Sequence, residues 1–176
     1  MALANKVGIA LATGKHRLVY GGGGLGLMGA VARSAHQAGG KVLGIMPDFL
    51  AEVEKTLTDV EHRMVPDMHA RKIMMYDESD AFIVLPGGIG TLEETIEILS
   101  WMRLNLHEKP LVFLDDTGYW DPIIRGLHHT IDEGFAPESF AKDIHSASTA
   151  HEALTLIADK IANPNTREPL NIHDKV

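Results

Sequence analysis

No cysteine occurs anywhere in the 176 residues, which excludes disulfides, thiolate metal sites and cysteine nucleophiles. No apolar run reaches the length needed to span a bilayer. The opening Met1-Ala-Leu-Ala-Asn-Lys6 lacks the charged, apolar and cleavage regions of a signal peptide, so a cytoplasmic location is expected. Positive charge is scarce. Sixteen Lys and Arg stand against 24 Asp and Glu, a formal net charge of −8, which argues against a broad nucleic-acid or anionic-membrane surface while leaving room for a small basic pocket. Internal repeats, heptad arrays and low-complexity linkers are also missing.

Several chemical signatures are absent too. There is no Gly-x-Ser-x-Gly elbow, no Walker lysine after a glycine loop and no His-Glu-x-x-His pair, which removes most of the weight from serine-hydrolase, ATPase and metalloprotease readings. The ten histidines include His128-His129, adjacent and therefore on different sides of a helix. No metal site is expected, and His69 reads as a satisfied structural histidine. What remains is ordinary globular material, 45% hydrophobic and 23% charged.

Four continuous apolar runs recur between helical patterns: Arg17-Leu-Val-Tyr20, Lys41-Val-Leu-Gly-Ile45, Ala81-Phe-Ile-Val-Leu85 and Pro110-Leu-Val-Phe-Leu114. Continuous rather than alternating runs suit a parallel sheet covered on both faces. The spacing predicts helices over Leu27–Ala38, Met68–Glu78 and Thr91–Leu104, the last with Leu92, Ile96, Leu99 and Met102 on one face. Asp121-Pro122 supplies an N-cap and a first-turn proline, with Gly134 as the stop. Thr149-Ala-His-Glu152 is a capping box. The expected fold is one doubly wound, Rossmann-like parallel α/β domain over residues 1–162, with helices on both faces and a C-terminal extension at 163–176. Its start is unusual. Leu3, Val7, Ala10 and Leu11 share a helical face and Gly14 can end that helix, so either the sheet begins one strand late or a first strand is lacking.

Two glycine loops carry the chemistry. The first, Gly21-Gly-Gly-Gly-Leu-Gly-Leu-Met-Gly29, follows the first strand. Its glycines permit close approach of a phosphate or ribose, and Gly22 and Gly23 are the candidate contacts. Gly21, Gly23 and Gly26 match the dinucleotide fingerprint, but the acidic ribose partner is missing, since the next strand runs into Ile45-Met-Pro47. A nicotinamide-dependent oxidoreductase is therefore a weak alternative, and a plain strand-to-helix turn is the bland one. The second loop, Pro86-Gly-Gly-Ile-Gly-Thr-Leu-Glu-Glu94, runs from a buried strand into a helix start, where free N–H groups and the helix dipole favour an anion. Thr91 is either a phosphate ligand or a helix cap. Glu93 and Glu94 are about 100° apart on the helix, so one is solvated and the other faces the ligand. Arg71 and Lys72 precede Ile73, Met74 and Met75 on a helix with a core face. They are either ligand groups or a solvated basic edge.

Gly21–Gly29, Met68-His-Ala-Arg-Lys72 and Pro86–Glu94 together resemble the LOG family, the cytokinin riboside 5′-monophosphate phosphoribohydrolases. The similarity runs from about residue 3 to about 160 and includes Trp101, His107-Glu-Lys-Pro110 and Gly118-Tyr-Trp-Asp121. The resemblance implies hydrolysis of the N-glycosidic bond of a purine riboside 5′-monophosphate, such as AMP or isopentenyladenosine monophosphate, to free base and ribose 5-phosphate. It implies Arg71 and Glu94 as the catalytic pair, expected to converge on one sugar. Gly88, Gly90 and Thr91 are implied as phosphate ligands with Lys72 beside them, and Glu54 as a further contact. Met68, Ile89, Leu92 and Glu93 complete the expected substrate-binding set; Ile89 stands where plant members commonly have tyrosine. No cofactor is implied, and a homodimer is. A non-catalytic nucleotide or molybdenum-cofactor carrier on the same fold is the alternative, disfavoured because both Arg71 and Glu94 are present.

Overall fold

In a computed structural model, which describes residues 1–164, the chain divides into two compact units, Met1–Asp80 and Ala81 onward. Each holds a three-stranded, wholly parallel sheet with helical crossovers, so the α/β class forms as expected. Most of the expected C-terminal extension lies outside the described residues.

The first unit runs α1 (Ala2–Thr13), β1 (Leu18–Tyr20), α2 (Gly26–Gln37), β2 (Val42–Pro47), a 3-10 turn (Asp48–Leu50), α3 (Ala51–Glu54), β3 (Glu61–Val65) and α4 (Met68–Asp77). Its strand order is β1-β2-β3, with Leu18 opposite Val42 and Leu43 opposite Glu61. β2 is buried along its whole length because both faces are covered. Val42 faces a cluster with Tyr20, Ala32 and Ala35, whereas Leu43 and Ile45 face Val65, Ala70, Met74 and Met75. Adjacent strand residues point to opposite faces, so α2 and α4 cover opposite sides. α1 packs closely on α2 through Gly8, where a Cβ would stand 2.1 Å from Ser34 Oγ and 2.5 Å from Val31 O. That close approach turns Ala4, Val7, Gly8 and Leu11 inward, a face shifted from the expected one, which had Leu3 and Ala10. The helix ends at Gly14 as expected, but without a left-handed glycine. Gly14 keeps φ at −76° and Lys15 takes the left-handed conformation.

The second unit runs β4 (Phe82–Val84), α5 (Ile89–Arg103), β5 (Leu111–Leu114), α6 (Asp121–Asp132), a 3-10 stretch (Glu138–Asp143), β6 (His145–Ala147) and α7 (Ala150–Ala162), with strand order β4-β5-β6. β5 is fully buried. Phe113, Trp120, Leu99 and Met102 form the centre of the core, against which α6 packs Ile123, Ile124, Leu127 and Ile131.

Two strands, β3 and β6, were not foreseen. Both keep exposed positions along the strand, so Glu-His-Arg-Met-Val and His-Ser-Ala carry no continuous apolar run. Helix starts also differ. Trp120, not Asp121, holds the cap position of α6, although Pro122 sits in the first turn and Gly134 is left-handed as expected. α7 begins as read, with Thr149 Oγ1 accepting from the Glu152 N–H at 3.1 Å. Glu152 returns the bond to Ser148, one residue earlier than a capping box requires.

Candidate active site

The first glycine loop is held open by its own carbonyls. Gly21 O accepts from Arg71 Nη2 at 3.0 Å, Gly22 O lies 3.1 Å from His62 Nε2, and Gly24 O accepts from Arg33 Nη1 at 2.8 Å. Tyr20 Oη also donates to Gly22 O at 3.4 Å; burial pushes this phenol up to about 12, against the opposing pull of Arg33. In a planar trans peptide the N–H points away from its C=O. Carbonyls tied to the protein therefore turn the amides of residues 22, 23 and 25 the other way.

The glycines are required by geometry. Gly22 has φ of +84°, a region costly for any residue with a Cβ. A Cβ on Gly23 would stand 2.2 Å from Met28 Cε and 2.8 Å from Glu54 Oε2, and one on Gly24 would stand 2.1 Å from Lys55 O. Glu54, at the end of α3, is thus brought onto Gly23, and its carbonyl accepts from the Gly24 N–H at 2.9 Å. The two sequence-predicted residues Gly23 and Glu54 meet.

Arg71 on α4 reaches this same loop. Besides Gly21 O, it contacts Met68 Sδ through Nη1 at 3.7 Å, while its Nε is buried without a hydrogen-bond partner among the described residues. Among the described residues it pairs with no carboxylate, unlike Arg17 and Arg63, which both pair with Glu78. The first unit therefore groups Gly22, Gly23, Glu54, Met68 and Arg71 about one loop. Lys72 is the next, partly buried residue of α4, and His69 is exposed rather than a satisfied structural histidine.

The second loop belongs to the second unit. Its helix starts earlier than expected, with Gly88 as N-cap and Ile89 as the first helical residue. Glycine tolerates the cap conformation without a side-chain ligand, so the start moves forward to it. Thr91 is consequently the third helical residue and not the cap, and Glu93 and Glu94 fall in the second turn rather than the first. Leu92 N–H, bonded to Gly88 O at 3.1 Å, is the first to find an intrahelical acceptor. The amides of Gly88, Ile89, Gly90 and Thr91 precede it and carry the positive end of the dipole. Glu94 is partly buried and Glu93 is exposed, so the two differ in exposure, in keeping with their angular separation. Ile89 is 84% exposed. Ile96, expected on the apolar face, is 45% exposed; Thr95 is buried in its place, its hydroxyl bonded to Thr91 O at 2.6 Å.

A bracket behind this loop was missed by the residue-level reading. Asp115 directly follows β5 and accepts backbone N–H bonds from Thr117, Gly118, Tyr119 and Trp120. Burial alone would raise its carboxyl; the four amides outweigh that and hold it below the usual carboxylate range. The turn so formed aims Trp120 Nε1 at Val84 O, 3.2 Å away, and Tyr119 Oη at Gly87 O, 2.6 Å away. The only available signal was an acid at a strand end before Gly118-Tyr-Trp. Among the described residues no three His, Asp or Glu gather as metal ligands, and no helix is long and apolar enough to cross a membrane.

The family model described as "possible lysine decarboxylase" matches residues 28–157. The chain is 42% identical over 156 residues to the cytokinin riboside 5′-monophosphate phosphoribohydrolase of Rhodococcoides fascians, covering 84% of this chain and 79% of that protein. The chain belongs to the LOG family. A second LOG relative, LOG3 of Arabidopsis thaliana, which has the same phosphoribohydrolase name, is 46% identical over 136 residues, 77% of this chain and 63% of its own length. The LOG fold extends to the molybdenum cofactor carrier protein of Chlamydomonas reinhardtii, with a TM-score of 0.68 and 23% identity over 92% of this chain and 88% of that one. At that identity the likeness speaks for the fold alone.

Proposed function

We propose that this LOG-family chain hydrolyses the N-glycosidic bond of purine riboside 5′-monophosphates, AMP or isopentenyladenosine monophosphate among them, releasing free base and ribose 5-phosphate. The observation that carries the reading is the intact Pro86–Glu94 segment, with the free amides of a helix start opening from a glycine pair, in a chain over 40% identical to phosphoribohydrolases. A 5′-phosphate suits those amides. Gly88, Gly90 and Thr91 hold it, with Lys72, Glu54, Met68, Ile89, Leu92, Glu93, Gly22 and Gly23 as further substrate contacts.

Breaking the bond builds positive charge on the ribose. Glu94 stabilises that charge or takes a proton from the attacking water. Arg71 neutralises charge on the departing base or the phosphate. It does not act as a general acid, because a guanidinium keeps its proton to pH above about 12. Phosphate binding at the remote end orients the reacting centre and so contributes to turnover. The working unit is proposed to be a cytoplasmic homodimer.

The test is chromatographic detection of free base after incubation with AMP and with isopentenyladenosine monophosphate. Glu94→Gln is expected to bind AMP yet lose turnover, and Arg71→Ala to lose both. Equal activity in Glu94→Gln and the parent sinks the assignment. Tight nucleotide binding with no base release from the parent supports a carrier instead.

A further inference from the structure

We propose that Tyr119 is a positioning residue for phosphate binding: its hydroxyl fixes the peptide between Gly87 and Gly88 so that the Gly88 N–H faces the anion. The inference deepens the phosphate-loop reading above and rests on it.

Tyr119 Oη donates to Gly87 O at 2.6 Å across 32 residues of chain. That carbonyl belongs to the peptide whose nitrogen is the Gly88 N–H, and no peptide bond among the described residues is cis. Planarity then forces the two groups apart: where the C=O points at Tyr119, the N–H points to the opposite side. Neither flanking residue has a Cβ, so little in the backbone itself stops this peptide from rotating. A fixed acceptor is needed, and the phenol is its partner.

The other side of Gly87 is closed by Thr91. A Cβ on Gly87 would stand 2.2 Å from Thr91 Oγ1 and 2.7 Å from Thr91 Cβ. Gly87 is thus held between the side chain of an expected phosphate ligand and the phenol. Tyr119 is itself anchored. Its ring stands edge-on to Trp120 at 4.9 Å and 81°, and Trp120 is 1% exposed and bonded to Val84 O. The four amides on Asp115 hold the turn that carries both aromatics. The Tyr119 side is 50% exposed, so its hydroxyl is not something the core demands. The bond at 2.6 Å serves the loop.

The test compares the full-length parent with Tyr119→Phe, which keeps the ring and deletes the hydroxyl. Calorimetric titrations use AMP, inorganic phosphate and adenosine. Affinity for AMP and for phosphate is expected to fall about tenfold, the size of one lost hydrogen bond to a charged group, with adenosine binding unchanged. Equal AMP affinity in the two proteins, or an equal fall for adenosine, overturns the positioning role. A parent that binds neither AMP nor phosphate instead removes the phosphate-loop reading, and the role of Tyr119 with it. A measurement on labelled parent needs no variant: the Gly88 amide resonance shifts on phosphate addition, and a Gly88 resonance unmoved at saturation overturns the proposal.

Discussion

Asp115 is the residue whose work is most disproportionate to its prominence. One carboxylate receives four consecutive backbone amides and so shapes the turn from which Tyr119 and Trp120 reach their carbonyls. Asp115→Ala is expected to cost about 2 kcal/mol, as several charge-assisted bonds in a partly wet site are lost together. Denaturant unfolding at neutral pH measures it. Because the folded carboxyl sits below its ordinary value, its stabilisation is complete above that value and disappears as pH falls through the folded one. The difference between parent and variant should therefore narrow in strong acid. The two residues proposed for catalysis follow another logic. Glu94→Gln keeps size and hydrogen bonding but removes the charge, so turnover is expected to fall about 10²- to 10⁴-fold while AMP binding persists. Arg71→Ala removes the guanidinium that holds Gly21 O, and a loss of affinity should accompany the loss of rate.

At the scale of elements, the first glycine loop is the most constrained segment. Its neighbours explain why alanine fails differently at successive positions. On Gly24 a Cβ meets the backbone oxygen of Lys55, which cannot step aside without moving α3. On Gly23 it meets the flexible ends of Met28 and Glu54. Gly24→Ala is thus expected to destabilise by about 2 kcal/mol or more, the range for overpacking against fixed atoms, and Gly23→Ala by less. Gly23→Ala should still weaken nucleotide binding because it displaces the Glu54 carboxylate. Thermal melts and AMP titrations of the two variants separate these effects; equal melting losses would contradict the argument.

For the whole molecule, titration should show acid loss in two stages. His145 has a lowered value, chiefly through burial and further through Lys160, against Asp143. A depressed histidine contributes stability above its ordinary value near 6.5 and loses it as pH falls from there to the folded value. Glu78, bonded to Arg17 and Arg63, and Glu152, bonded to Ser148, are also lowered. Their contributions vanish only below the ordinary glutamate value of 4.5. Urea midpoints measured from pH 7 to pH 3 should fall first below about 6.5 and again below the carboxylate range. His145→Gln should flatten the first fall and leave the second. The two units each have a core of their own, so truncating Leu43 or Phe113 to Ala is expected to cost about 2–5 kcal/mol in either case.

Continuous apolar runs and glycine loops are local properties, and they were enough to mark β1, β2, β4 and β5, the parallel α/β class and both candidate anion loops. Motif spacing carried the family, which the relatives then established. Tertiary structure alone decided the rest. β3 and β6 leave part of their length exposed, so their sequences carry no continuous apolar run. The start of α5 moved to Ile89 because a glycine cap needs no side chain, and that displaced Thr91 and the two glutamates by two residues, just over half a turn. Tyr119 and Gly87 lie 32 residues apart, and so do not share a window in which spacing can be read. Contacts of that separation are made by the chain's return to the same sheet end, and no periodicity in the residues themselves encodes them.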